Sequence, residues 1–140
     1  MSVIKRKSER GSVEFEHRFD GPGIMRATKI IERDEELNNK GRMFNEILLE
    51  KDCGIGFHVH EGDGEIFLIL SGEAEYEDTD HSKTTLLPGD VTITYSGEGH
   101  SIVNVKDEPC RLIALILYSY CAGLIHPYRA RYRRKCHPLH

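Results

Sequence analysis

The feature that most constrains the fold of this chain is a succession of short apolar segments separated by turn-forming residues. Between residues 24 and 118, segments of strand length alternate with breaks that carry Gly, Asn, Asp or Pro. Such punctuation is typical of β-sandwiches and barrels rather than of α/β folds. The segments predicted as strands are residues 24–31, 43–49, 54–60, 65–70, 73–78, 83–87, 90–95, 101–105 and 110–118. Helical signal is weak, and the acidic stretch before residue 38 is interpreted as a strand end that runs into a loop.

One of these strands is apolar on both faces. Successive side chains point to opposite faces of a strand, so Ile66, Leu68 and Leu70 share one face and Phe67 and Ile69 share the other. A strand with this pattern is normally covered on both sides. We therefore expect the interior of a barrel on one side and a second layer, such as another subunit, on the other.

Size and composition fit one domain. The 140 residues, with 39% hydrophobic and 30% charged side chains, suit a single globular core. No apolar run is long enough for a transmembrane helix, and the basic N-terminus lacks the apolar core of a signal peptide. The four cysteines show no pairing rhythm and are expected to be reduced thiols. These features predict a cytoplasmic protein without a membrane partner.

Charge is distributed unevenly along the chain. All 23 acidic residues precede residue 109, whereas six of the 19 Lys and Arg residues follow it, and the net charge is −4. The basic segment 119–140 is interpreted as a C-terminal tail, either flexible or appended to a finished domain. Contact with nucleic acid is the alternative, but a basic tail without a fold gives only weak, salt-sensitive binding.

A set of potential metal ligands lies in the middle of the strand region. His58 and His60 are two positions apart, so on a strand they point the same way. Glu65 follows a short acidic turn within reach of that face, and His100 lies further along the chain. Three neutral imidazoles and one carboxylate suit a divalent transition metal. The alternative is that these histidines only satisfy hydrogen bonds inside a barrel.

These residues resemble the two motifs that define the cupins. The first family motif contains a glycine, His-x-His, a glutamate and a second glycine, which correspond here to Gly54, His58, His60, Glu65 and Gly72. The second motif contains a glycine, a proline, a glycine, a histidine and an asparagine, at positions held here by Gly89, Tyr95, Gly97, His100 and Asn104. Two departures stand out, since the gap from Gly54 to His58 is short and Tyr95 replaces the usual proline.

The resemblance covers about residues 40–118 and implies an all-β jelly-roll barrel, also called a double-stranded β-helix. It implies that the metal is held inside this barrel by His58, His60, Glu65 and His100. The predicted organisation is an N-terminal strand segment and loop at 1–39, the barrel at 40–118 and the basic tail at 119–140. Many compact single-domain cupins are homodimers, so a homodimer is expected.

The resemblance also implies a function. We expect a metal-binding protein that takes a small oxygen-rich acid or a similar metabolite. Mn, Fe or Ni suits this site better than Zn, because zinc prefers four ligands, whereas an octahedral ion leaves about two positions for water or ligand. If the protein is an enzyme, it is a metal-dependent dioxygenase, decarboxylase or isomerase in which Glu65 also moves protons. A non-catalytic metabolite-binding or sensing cupin is the main alternative. A metal-free sugar epimerase is a weaker one, because it would not require all four ligands.

Several neighbours of the motif residues have two interpretations. Asn104 shares a strand face with the last histidine and either supports the ligands or has a structural role. Phe67 and Ile69 either line a pocket or pack in the core. Tyr95 and Ser96 either contact a bound carboxylate or shape a turn.

Two further groups are interpreted as lying outside the site. Glu61 and Asp63 flank the turn before Glu65 and are expected to be solvated, with Asp63 as the substitute ligand if Glu65 is free. Near the C-terminus, four residues do not have the paired spacing of common zinc modules, and no second metal site is expected from Cys121, His126, Cys136 and His140.

Overall fold

Residues 1–119 are described by the computed structural model, and the short segments of the sequence become ten β-strands in this part of the chain. The strands are β1 Ser12–Glu16, β2 Ile24–Lys29, β3 Gly41–Leu49, β4 Cys53–Val59, β5 Asp63–Ser71, β6 Ala74–Glu77, β7 Lys83–Leu86, β8 Val91–Thr94, β9 Gly99–Asn104 and β10 Cys110–Tyr118. Three short 3₁₀ turns complete the secondary structure of these residues, at Lys7–Glu9, Arg18–Asp20 and Asp34–Leu37.

The strands pair into two antiparallel sheets. The larger sheet has the order β1-β2-β3-β10-β5-β8, and the smaller has the order β4-β9-β6-β7. Neighbours that are distant in sequence, such as β3 and β10, give the crossovers of a jelly roll. The prediction of an all-β jelly-roll barrel is confirmed. The candidate ligands come from both sheets, because β4 and β9 belong to the smaller one and β5 to the larger.

Each predicted strand segment contains an observed strand, with ends that differ by a few residues. The strand that the sequence did not predict is β1, which pairs with β2 from Ser12 opposite Thr28 to Glu16 opposite Ile24. Its sequence is largely polar and only Phe15 is partly covered, so it lacks an alternating apolar signal. Strands β1 and β2 extend the larger sheet beyond β3. The division at residue 40 stays a prediction.

The core lies between the inner faces of the two sheets. On β5, Phe67 and Ile69 are each 1% exposed, whereas Leu70 on the opposite face is 46% exposed. Ile66 and Leu68 on that outer face are half-buried. Within residues 1–119, the chain therefore covers β5 fully on the inner face only. The second layer expected over the outer face is not part of the described chain.

Some predictions concern the rest of the chain or its surroundings. The predicted basic tail, 119–140, lies outside the described residues except for Ser119. The same holds for the four potential ligands near the C-terminus, Cys121, His126, Cys136 and His140. Cys53 and Cys110 are free thiols. Among the described residues, no helix has the length and apolar character needed to cross a membrane.

Candidate metal centre

Three strands bring the predicted ligands to one place inside the barrel. His58 on β4 lies directly opposite His100 on β9 in the antiparallel register of the smaller sheet. His60 follows the end of β4, and a tight turn through Gly62, at φ +77°, returns the chain into β5. Glycine is suited to this left-handed conformation because it has no Cβ. The turn delivers Glu65 from the facing sheet to the two histidine strands.

The three histidine rings converge on one carboxylate oxygen of Glu65. Oε2 of Glu65 lies 3.0 Å from Nε2 of His100, 3.1 Å from Nε2 of His60 and 3.9 Å from Nε2 of His58. One ligand atom from each of the four residues lies within 4.8 Å of all the others. His100 is fully buried, and His60 and Glu65 are 4% and 5% exposed. The structure thus brings together every residue that the sequence nominated for the metal site.

Outer contacts fix the orientation of two of the rings. Nδ1 of His58 lies 2.8 Å from the carbonyl oxygen of Gly56, and Nδ1 of His60 lies 2.8 Å from Oδ1 of Asp63. Carbonyl and ionised carboxylate oxygens only accept hydrogen bonds, so both Nδ1 atoms donate. The Nε2 atoms of these two rings are then the ones available to a metal.

His100 is held most firmly. Its Nδ1 lies 2.8 Å from Oγ1 of Thr94 and 3.2 Å from the hydroxyl of Tyr76. Its ring stacks on Phe67 with a centroid distance of 5.0 Å and an interplanar angle of 7°. Phe67, for which the sequence left pocket lining or core packing open, therefore packs against a candidate ligand from within the core.

The donor set of the cluster fits a divalent metal. The Nε2 atoms of His60 and His100 are 3.1 Å apart and share the Glu65 carboxylate as a neighbour. Where Nδ1 carries the proton, as in His58 and His60, Nε2 presents a lone pair toward the Glu65 carboxylate, an arrangement that needs positive charge between them. Protons on Nε2 meet that need in the metal-free protein, and imidazole and carboxylate ligands are suited to a transition metal ion.

Burial and mutual hydrogen bonds shift the pKa values of three residues in the cluster. Burial raises the pKa of Glu65, but hydrogen bonds from His100, His58 and His60 outweigh it and hold that pKa below its usual range. Burial lowers the pKa of His60, yet its hydrogen bonds to Glu65 and Asp63 raise that pKa overall. For His100 the burial effect is larger than the pull of Glu65, so the pKa of His100 is lowered. The ionised Glu65 carboxylate is the form that would bind a metal.

Asp63 is part of the site, and the prediction that it lies in a solvated turn is wrong. It is 7% exposed and joins two side chains, because Oδ1 accepts from Nδ1 of His60 and Oδ2 accepts from Nε of Arg42 at 2.7 Å. β5 begins at Asp63, so Asp63 and Glu65 share the inward face of one strand. The two-residue spacing between Asp63 and Glu65 was the sequence signal that would have placed Asp63 at the site. Glu61, in contrast, is exposed as predicted.

The N-terminal segment covers the cluster from outside, which the sequence did not predict. The ring of Phe19 stacks on His58 at 4.1 Å and 14°, and the Arg18 guanidinium lies 4.5 Å from the Phe19 ring centroid. This approach requires glycine on β4, since a Cβ at Gly56 would lie 1.8 Å from the carbonyl oxygen of Phe19. No motif marks the segment, because its function depends on contact with a distant strand.

The other nominated residues have structural contacts. The Asn104 amide donates to the carbonyl oxygens of Leu49 and Glu108, and its oxygen accepts from the Lys106 N–H. These bonds fix the turn before β10 and support the structural interpretation. Oγ of Ser96 accepts from the N–H of Gly62 and so braces the site turn.

Two nominated side chains do not line the cavity at the site. Tyr95, at the position of the usual proline, is 46% exposed and is absent from the cavity wall. Ile69 is 1% exposed and belongs to the core.

A cavity of about 390 Å³ opens beside the cluster. His58, His60 and Glu65 form one end of it. Apolar side chains from β1 to β4 form much of the remaining wall, and the residues of this kind are Val13, Phe15, Met25, Ala27, Met43, Ile47, Ile55 and Val59. A small molecule in the cavity would therefore contact both the candidate ligands and an apolar surface.

Residues 45–116 match the family model described as the cupin domain. The chain belongs to the cupins. This cupin is 31% identical over 115 residues to the oxalate-binding protein of Thermotoga maritima, an alignment that covers 82% of this chain and 93% of the relative.

Solved structures agree with this assignment. A crystal structure of a predicted oxalate decarboxylase from Thermotoga maritima has a TM-score of 0.78 and 31% identity, and the alignment covers 84% of this cupin and all of that chain. A sugar phosphate isomerase of the cupin superfamily from Silicibacter pomeroyi has a TM-score of 0.67 with 16% identity, covering 84% of this chain and 76% of that one. The second likeness shows the shared fold alone.

Proposed function

We propose that this cupin binds one divalent transition metal through His58, His60, Glu65 and His100, and that the metal binds a small oxygen-rich acid of which oxalate is the simplest example. The observation that carries the proposal is the convergence of ring nitrogens and one carboxylate oxygen within 4.8 Å of one another. The outer hydrogen bonds of His58 and His60 support it, because they leave Nε2 of each ring directed at this point.

The ligand set favours Mn, Fe or Ni over Zn. Three imidazoles and one carboxylate leave about two positions on an octahedral ion, whereas zinc usually completes its coordination with four ligands. A bound metal of this kind polarises the oxygens of a coordinated acid and fixes their orientation. Glu65 has a lowered pKa and is therefore ionised. Its negative charge would lower the net charge of the metal centre.

An acid is the ligand class that the surroundings favour. Arg18, Lys29 and Arg42 lie on the cavity wall together with Glu61, Asp63 and Glu65, so the charge that would attract an anion is chiefly that of the bound metal, with the three cations beside it. The relatives at 31% identity include one named for oxalate binding and one described as a predicted oxalate decarboxylase. Oxalate offers two adjacent oxygens, which suits two open positions on one metal.

Catalysis is a second candidate function, with Glu65 as the base. The contacts between Glu65 and the histidines all use Oε2, and Glu65 also forms part of the cavity wall. A carboxylate in this position can take or return a proton of a bound acid. The reaction classes that this arrangement suits are oxidation, decarboxylation and isomerisation, and a purely binding or sensing role needs the cavity alone.

We also propose that this cupin forms a homodimer through the outer face of the larger sheet. Val91, Ile93 and Leu70 on this face are 54%, 53% and 46% exposed. Contiguous exposed apolar surface of this kind usually marks an interface. Light scattering on the full chain tests the proposal: wild type should have twice the 16.0 kDa chain mass, and Ile93→Glu should reduce it to one chain, whereas Leu87→Glu, away from this sheet, should not. A wild-type mass of one chain would contradict it.

Calorimetry tests the metal and acid together. Mn²⁺ is titrated into chelator-stripped full-length protein, and oxalate is then titrated into the Mn²⁺-loaded and the metal-free forms. We expect Mn²⁺ to bind with a stoichiometry of about one per chain and oxalate to bind the loaded form only. Oxalate binding of equal strength in both forms would contradict the role of the metal, and absence of Mn²⁺ binding would contradict the site.

A further inference from the structure

The cavity is larger than oxalate requires. At roughly 30 Å³ for each water-sized volume, its volume of about 390 Å³ holds about a dozen of them. Oxalate consists of two joined carboxylates and would fill only the end of this space. The volume also falls within the range of about 300–1,000 Å³ that is usual for sites of small organic molecules.

The space beyond the ligands is bounded by an apolar wall. Met25 and Ile47 are 6% and 1% exposed, and Ile55 is 5% exposed, yet each lines the cavity. Phe15 and Met43 pack against the same core cluster from its edge. Water in contact with such a surface is replaced favourably by an apolar group.

Asn45 interrupts the apolar wall between Met43 and Ile47 on β3, and the cations of the cavity contact other groups of the chain. Arg42 is paired with Asp63, and Lys29 lies 3.7 Å from Glu32. The guanidinium of Arg18 rests on the Phe15 and Phe19 rings, at 4.8 and 4.5 Å from their centroids. A second carboxylate placed against this wall would lose its hydration and would find only the Asn45 amide as a partner there, which is costly for a charged group.

We propose that the acid bound by this cupin is a 2-oxo or 2-hydroxy acid whose apolar side chain lies against the wall formed by Phe15, Met25, Met43, Ile47 and Ile55. Such an acid keeps two oxygens on adjacent carbons, as oxalate does, and carries an apolar substituent where oxalate has the remaining oxygen of its second carboxylate. The inference rests on the proposed function, because the metal at the histidine end positions the acid group and so directs the side chain along the cavity.

The test is a series of 2-oxo acids that differ only in the side chain, with the dicarboxylate oxalate as the reference. Pyruvate, 2-oxobutanoate, 2-oxopentanoate, 4-methyl-2-oxopentanoate and oxalate are titrated by calorimetry into the full-length protein loaded with Mn²⁺. Affinity should rise by about fourfold for each methylene that becomes buried, and the longer acids should bind more tightly than oxalate. A flat series, or affinity that falls as the side chain grows while oxalate still binds, would overturn this inference and leave the proposed function intact.

A variant pair locates the effect on the wall. Met43→Gln keeps a similar length but places an amide on the wall, and it should reduce the dependence of affinity on side-chain length. Leu87→Gln, at a position 48% exposed and outside the cavity, is the matched control. An unchanged length dependence in folded Met43→Gln would overturn the assignment of the wall. Absence of binding by every acid, oxalate included, would overturn the proposed function together with this inference.

Discussion

His100 and His58 offer equivalent nitrogens to the same cluster, but the protein holds them in opposite ways. His100 is fully buried, stacked on Phe67 and bonded to two hydroxyl groups within the barrel. The side chain of His58 is 12% exposed and is covered from outside by Phe19. The inner region around His100 is thus built from barrel strands, and the outer region around His58 depends on a segment that precedes them.

The two regions should differ in how much they contribute to folding and how much to metal affinity. A ring packed inside the core contributes to folding whether or not a metal is present, because its removal leaves a cavity. A ring at the mouth contributes mainly through its nitrogen and through the neighbours that orient it. Changes in the inner region should therefore affect both folding and metal binding, and changes in the outer region should affect metal binding more than folding.

The largest expected effect comes from truncating the two rings in turn. In metal-free protein, His100→Ala should lower the free energy of unfolding by about 2–4 kcal/mol, because it empties a fully buried site against Phe67. His58→Ala should cost less than about 1 kcal/mol. Urea denaturation of both variants measures the difference, and equal losses would remove the distinction between the two regions.

The second prediction concerns Asp63, which connects the His60 ring to Arg42. Asp63→Asn should weaken Mn²⁺ binding by about 10–100-fold, because the amide no longer holds the charge and orientation of the His60 ring through its 2.8 Å contact. Titration calorimetry measures this affinity. Glu61→Gln, two residues earlier and exposed, is the control and should bind Mn²⁺ as wild type does; equal affinities in all three proteins would contradict the role of Asp63.

The third prediction uses pH to sharpen the contrast. Burial lowers the pKa of His100 below 6.5, so as pH falls through 6.5 the unfolded chain takes up a proton before the folded protein does. The contribution of His100 to stability is therefore lost on acidification, so metal-free wild type should lose more stability, or gain less, than His100→Asn does. The raised pKa of His60 acts in the opposite direction, but it is present in both proteins. Denaturation curves at neutral and mildly acidic pH measure the slopes, and parallel slopes would contradict the prediction.

The smallest expected effect lies at the mouth. Phe19→Ala removes the ring stacked on His58, a contact of a kind that contributes about 0.5–1.5 kcal/mol. Mn²⁺ affinity should fall by between about twofold and about tenfold, and the unfolding free energy should fall by no more than about 1.5 kcal/mol. Phe57→Ala is the matched control, since Phe57 contacts His81 at 4.7 Å outside the cluster. A loss of affinity in the control of the same size would show that the effect does not come from His58.

The inner region could be predicted from the sequence much better than the outer one. Alternation along a strand placed His58 and His60 on one face, Glu65 and His100 completed a plausible ligand set, and the resemblance to the cupins supported all four. Strand-length segments and glycine turns indicated a sandwich or barrel, and the resemblance implied the jelly-roll fold that the sheet order confirms. These signals are local, because each depends on residues a few positions apart.

The remaining parts depend on long-range contacts. Phe19 reaches His58 only because β1 and β2 fold back beside β4 and because Gly56 allows close approach, and no short pattern encodes that geometry. Asp63 was assigned to a solvated turn because the start of β5 was placed two residues too late, at Glu65. The proposed metal, its acid ligand and the partner subunit depend on molecules outside the chain and stay predictions.

The central claim is that the four clustered side chains hold a metal, and metal content tests it most directly. Plasma mass spectrometry is applied to the full-length chain after Mn²⁺ reconstitution, beside a His58→Ala/His60→Ala double variant. A His17→Ala/His81→Ala variant, which removes two exposed histidines outside the cluster, is the control. We predict about one metal per chain in wild type and in the control and none in the cluster variant. Equal metal content in the cluster variant and wild type, or no metal in any of the proteins, would contradict the account.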